Sequence, residues 1–127
     1  MAIPSGSGTE VIKRALIHAQ SNDATAFRWD GTAPTVGTET YTVPANHIIT
    51  VLSIIFCEQA DAAETLSLYM HDGSNTHQIL QYEPIPAHGT FVWNDKFVLT
   101  GGDKLIFHLQ TTGNVDAMLS YIDQDWS

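Results

Sequence analysis

One cysteine and five basic residues are all that this 127-residue chain holds of two residue types on which small proteins often rely. A lone Cys57 excludes a disulfide framework within the chain. It lies in an apolar run, where a free thiol behaves as a small buried hydrophobe, and its solitude fits synthesis in a reducing compartment. Lys13, Arg14, Arg28, Lys96 and Lys104 face fourteen acidic residues, for a net charge of −9, and cluster only as one dipeptide. A phosphate-binding surface needs a basic stripe, so no nucleic-acid partner is expected; an acidic shell favours solubility and repels other acidic bodies. No run approaches the roughly 18 apolar residues of a membrane span. Met1 to Gly8 has no apolar stretch, so no signal peptide is expected either.

Charged residues are also few, at 15% against a usual ~25%. What fills the chain is short apolar runs punctuated by turn residues. At this length one domain is expected, able to bury roughly two-thirds of its unfolded surface. The last third shows the pattern best. Phe91 to Trp93, Phe97 to Leu99, Leu105 to Leu109 and Ala117 to Ile122 read as strands, separated by turns at Asn94-Asp95, Gly101-Gly102-Asp103 and Thr112-Gly113-Asn114. Leu105, Phe107 and Leu109 alternate with Lys104, Ile106 and His108, as a strand with two unlike faces requires.

Upstream, Thr65 to Met70 and Thr76 to Tyr82 flank a loop at His71 to Asn75, with Pro84 and Pro86 closing the second run. Ala24 to Trp29, before the Asp30-Gly31 turn, and Glu39 to Val43 read as shorter strands. Thr9 to Gln20 has both a helical reading, with Ser7 and Glu10 as a capping box and Ile12, Leu16 and Ala19 at helical spacing, and an alternating one; the all-β surroundings favour the strand. Met1 to Gly8, rich in Gly and Ser and holding Pro4, reads as a flexible arm ahead of a domain spanning 9–127. The longest apolar run, His47 to Cys57, is apolar on both faces: Ile48, Leu52, Ile54 and Phe56 on one, Ile49, Val51 and Ile55 on the other. Such a strand is covered twice, and in a two-layer sandwich a subunit interface is one natural second cover. The expected fold is an antiparallel, jelly-roll-like β-sandwich of eight or nine strands. The phrases VPANHIITV and IPAHGTFVW echo each other and suggest one turn used twice.

Three segments, PANHIITVLSIIFCEQADAAETLSLYM, IPAHGTFVWNDKFVLTGGDKLIF and GNVDAMLSYID, carry a resemblance. Together, over about Val43 to Ile122, they resemble small virion structural proteins of tailed bacteriophages in their order of turns and strands. The resemblance implies a structural part: a capsid decoration (cement) protein, with a neck, tail or fibre adaptor as the alternative. It implies a homo-oligomer, with a trimer expected, whose partner is the major capsid protein or another virion protein.

Reactive groups are sparse. His71, His77 and His88 surround Glu83 in one stretch, but the His-x-His spacing of metal-binding jelly rolls is missing, so no metal is expected. No Gly-x-Ser-x-Gly elbow occurs, the Asp123/Asp125 pair is what an acidic chain produces anyway, and no catalytic residue or cofactor is expected. Trp29, Trp93 and Trp126 could stack on sugars, which makes a carbohydrate-binding receptor module the reading from another class. The residues expected to contact a neighbouring subunit or capsid are Ile3 in the arm, Ile49 and Val51 on the two-sided strand, and Trp126 in a tail beyond a strand ending near Ile122.

Overall fold

The computed structural model describes residues 9–126; the expected N-terminal arm, and Ile3 within it, lie outside them. Nine strands make two antiparallel sheets: β1 (Thr9–Ala19), β2 (Thr25–Ala26), β3 (His47–Glu58), β4 (Glu64–His71), β5 (Thr76–Ile85), β6 (Thr90–Trp93), β7 (Phe97–Thr100), β8 (Lys104–Leu109) and β9 (Val115–Asp125). One sheet runs β1-β9-β3-β6, with β7 also paired to β3; the other runs β2-β8-β4-β5. This is the jelly-roll-like β-sandwich expected, and the ambiguous N-terminal segment is strand: Thr9 to Ala19 pair residue for residue with Asp125 to Val115.

The alternation of side chains builds the core. Ala15, Ile17, Val115, Ala117, Leu119 and Tyr121 face inward from one sheet, and Leu66, Leu68, Leu105, Phe107 and Leu109 from the other; all are buried. Phe56 joins the layers, its ring centroid 5.2 Å from Phe107 and 6.2 Å from Phe91.

Two expected strands shrink. Of Ala24 to Trp29 only Thr25–Ala26 enters a ladder. Phe27 and Trp29 are buried in irregular backbone, with the Phe27 amide donating to the Leu105 carbonyl. Glu39 to Val43 forms no strand, because Val43 alone of these residues is buried. The segment is tethered at both ends: the Ala26 amide donates to the Thr38 carbonyl, and Val43 exchanges hydrogen bonds with Gly102 and Asp103.

The echoed phrases are one turn used twice. His47 donates to the Pro44 carbonyl and Gly89 to the Pro86 carbonyl, at 3.2 and 2.8 Å, and the third residue of each turn, Asn46 or His88, is left-handed with φ of 63° and 55°. A positive φ at that position is the mark of a type II turn. Glu58, buried at the end of β3, holds the second turn in place: its carboxylate accepts from the His88 and Ala60 amides, at 2.9 and 2.7 Å. These bonds, His88 first, hold its pKa below the ordinary glutamate value against the opposing effect of burial.

The edge strand β5 is irregular. Its register against β4 shifts twice, Tyr82 is left-handed at φ 55°, and Pro84 sits within the strand.

Trp29, just past β2, stands edge-on to Tyr121 of β9, with centroids 4.9 Å apart. Tyr121 is fully buried and its hydroxyl has no hydrogen-bond partner among the described residues. Burial, and then the charges of Asp123 and Asp30, push its phenol up to about 12. An unfolded tyrosine ionises near pH 10. Between pH 10 and 12 the unfolded chain therefore sheds this proton first, and stability falls as pH rises. The loss expected across that window is on the order of 2 kcal/mol. Urea titrations from pH 8 upward should show it, and Tyr121→Phe should flatten the curve above pH 10 while costing less than about 1 kcal/mol at pH 7, since the lost hydroxyl was unpaired. An unchanged alkaline slope in the variant would assign the loss to other groups.

Candidate assembly face

The outer face of the five-stranded sheet is where the unusual surface lies. Five of the seven exposed large apolar side chains among the described residues are on it: Ile12, Leu16, Val92, Val98 and Met118. The ladder registers arrange them in rows. Leu16, Met118, Ile55 and Val92 stand opposite one another across β1, β9, β3 and β6, an unbroken apolar row. A second row runs Ile12, Ile122, Thr50, Val98, and between the two lies a polar row of Arg14, Ser120 and Ser53. Around the first row is an open groove of about 460 Å³ that also takes in Ala33 and Cys57. Cys57 is thus half-buried on this outer face, not sealed in the core.

A β-bulge decides which residues of β3 reach the face. Val51 pairs with Tyr121 and Ser53 with Ser120, so Leu52 is an extra residue and the side-chain parity changes there. Before the bulge Ile49 and Val51 point inward; after it Ile54, Phe56 and Glu58 do. Ile49 and Val51 are fully buried between the sheets, which corrects their expected place on an outer contact face. Strict alternation had put them with Ile55; the bulge separates them, and Ile48 and Ile55 are the residues that face out.

The C-terminal end differs from expectation too. β9 continues past Ile122 to Asp125, and the Trp126 amide still donates to the Asn46 carbonyl, at 2.9 Å. The strand survives its acidic residues because their carboxylates have partners. The inward Asp123, nearly buried, receives Lys13 Nζ at 2.9 Å and His47 Nδ1 at 2.7 Å, and His47 Nε2 lies 3.4 Å from Asp125. Trp126 is half-buried against its own chain, its backbone bound to the turn that opens β3.

The residues considered for chemistry are dispersed. His77 pairs with Asp72 at 3.0 Å at one hairpin end, His71 accepts from the Gly73 amide, and His88 pairs with Asp61 at 3.3 Å elsewhere. No group of three or more His, Cys, Asp or Glu side chains among the described residues could hold a metal ion. Trp29 is core, while Trp93 is half-buried with Nε1 donating to the Asp95 carbonyl, so the tryptophans form no shared stacking platform. The helix-free fold also contains no helix long and apolar enough to cross a membrane among the described residues.

The chain is thus a jelly-roll-like β-sandwich whose distinguishing surface is an apolar sheet face. Solved structures share that fold. The globular domain of zebrafish complement 1qA protein superposes with a TM-score of 0.51 at 13% identity, over 94% of this chain and 98% of that one. The capsid structure of Helicobacter pylori bacteriophage KHP30 matches with a TM-score of 0.52 at 9% identity, over 94% of each chain. The core of Drosophila NLP, described for its pentamer formation and histone binding, matches with a TM-score of 0.52 at 12% identity, over 92% of this chain and 99% of that one. No protein-family model matches the sequence. No curated protein matches it in sequence.

Proposed function

We propose that this chain is a non-enzymatic structural protein of a virion, a capsid decoration protein that seats the apolar face of its five-stranded sheet on a neighbouring subunit of the particle. One observation carries the reading: Leu16, Met118 and Val92 of the apolar row through Ile55, and Ile12 and Val98 at the ends of the second row, are exposed on one sheet face among the described residues. Strands of eleven residues, set four abreast, give a face of about 36 by 19 Å, on the order of 700 Å². That whole face, its polar row included, approaches the roughly 800 Å² each partner contributes to a standard interface. The capsid chain of bacteriophage KHP30 supports the reading through its fold, and the order of turns and strands from Val43 to Ile122 supports it through the virion-protein resemblance.

The mechanism is mass action. A ligand that binds only the assembled lattice stabilises it in proportion to the sites filled. The acidic net charge opposes non-specific association of free copies. Electron cryo-microscopy of the intact particle tests the assignment: density for the sandwich is expected on the head, with the face carrying Met118 turned toward the shell. Density at the neck or tail would replace decoration with an adaptor role, and density with that face turned to solvent would sink the interface.

A further inference from the structure

Among the described residues, the N-terminal half of β1 is a bare edge. β9 hydrogen-bonds one side of β1 over its whole length, and the other side takes no strand partner among the described residues. Ala15, Ile17 and Ala19 are buried, whereas Thr9 to Val11, Ile12 and Arg14 are exposed and Lys13 is half-buried. Val11 and Ile12 point to opposite faces of the sheet, yet both are large, apolar and exposed, Ile12 at 75%. An edge with unpaired backbone groups and apolar residues on both faces is a template for another strand.

The sequence on that edge complements itself. We propose that the chain pairs with a second copy of itself through β1, antiparallel, about a two-fold axis at Ile12. In that register Glu10 stands opposite Arg14 of the second copy and Arg14 opposite its Glu10, both on the outer face. Val11 stands opposite Lys13, Thr9 opposite Ala15, and Ile12 meets its own copy on the axis. Opposite charges set directly across a strand pair stabilise it, and like charges oppose it. Moving the axis one residue either way sets Glu10 against Leu16 or Ile12 and loses both ion pairs.

Charge also argues for a second copy at this edge. Lys13 and Arg14 are two of only five basic residues in the chain, and they sit side by side on this edge. Lys13 is held by Asp123 and Glu10 accepts from Gln124, at 2.9 Å each, so both stand ready at the edge. The paired stretch takes in the exposed run of β1, Thr9 to Ile12 and Arg14, and ends at Ala15, where the inward side chains become buried.

The two sheets then become one, with their apolar rows meeting at the axis. The pairing stands on the edge alone. Its use as a two-headed clamp rests on the particle reading: two coplanar faces on one dimer grip two neighbouring subunits, and the second attachment gains from the first.

The test uses the full chain. Sedimentation equilibrium across the micromolar range should show a monomer–dimer equilibrium. Arg14→Glu alone and Glu10→Arg alone should each weaken it at least about tenfold, by setting like charges opposite one another. Combining the two recreates both pairs with signs reversed and should restore the wild-type constant to within about threefold. Independently, Ile12→Cys in a Cys57→Ser background should crosslink to a dimer under mild oxidation, because facing Cα atoms about 4.5–5.5 Å apart lie within disulfide range. A wild-type chain that stays monomeric, a trimer without this crosslink, or a double variant no tighter than the singles overturns the proposal. Met118→Asp separates the two ideas: it should leave the crosslink intact while abolishing attachment to the particle.

Discussion

Met118→Asp is expected to lower attachment to the assembled shell by at least about a hundredfold, since burying an unpaired carboxylate against apolar surface costs several kcal/mol. Met118 is the choice because it lies mid-row, opposite Leu16 on one side and Ile55 on the other, at the centre of the sheet. It is 42% exposed in the free chain, so a charge there costs the fold little, within about 0.5 kcal/mol. Co-sedimentation with particles stripped of the protein measures the loss, and an unchanged melting curve shows that the sandwich is intact. Ser120→Asp, in the polar row between the apolar ones, should weaken attachment less. Binding of the Met118 variant within a few-fold of wild type would remove this face from the interface.

The largest effect on stability is expected at Phe56. Its side chain is fully buried and touches both Phe91 of its own sheet and Phe107 of the other. Phe56→Ala deletes a ring that the neighbouring aromatics cannot refill, at a cost of about 3–5 kcal/mol. For a chain whose whole stability is on the order of 5–15 kcal/mol, that lowers the melting temperature by roughly 10 °C or more. Chemical denaturation with an unchanged m-value would confirm a loss of packing. A cost below about 1 kcal/mol would mean that the layers close over the gap and that Phe56 does not join them.

Most of the architecture is legible in the residues. Period-two alternation marks β9 because it has one dry face and one wetter one; it marks β4 and β8 through their inward leucines, although Ser67 and Ile106 on their other side are buried as well. The capping-box reading of Ser7 and Glu10 loses to β1 because Ile12 and Leu16 lie on one edge-strand face, not on a helix stripe. What was not legible depends on partners far away in sequence. The carboxylate of Asp123 ends no strand, because Lys13, 110 residues earlier, reaches it. Glu39 to Val43 alternates as a strand should, yet only Val43 of it is buried and it enters no ladder. The two-sided apolarity of His47 to Cys57 comes largely from the bulge at Leu52: Ile49 and Val51 before it and Ile54 and Phe56 after it all point inward, yet strict alternation assigns them to opposite faces. A bulge leaves no residue-level mark when the extra residue is another apolar one.

The irregular edge of β5 sets how far association can go. A sandwich with two clean edges can add copies without end and grow into a ribbon. In this chain, Tyr82 and Pro84 break the hydrogen-bonding line of β5, and β6 and β7 divide the far edge of the other sheet into two four-residue pieces. Among the described residues that leaves β1 as the one long regular margin, and two copies joined there use up both. Growth ends at the pair, so the same strand that invites a partner also protects a concentrated stock of the protein from polymerising into fibres.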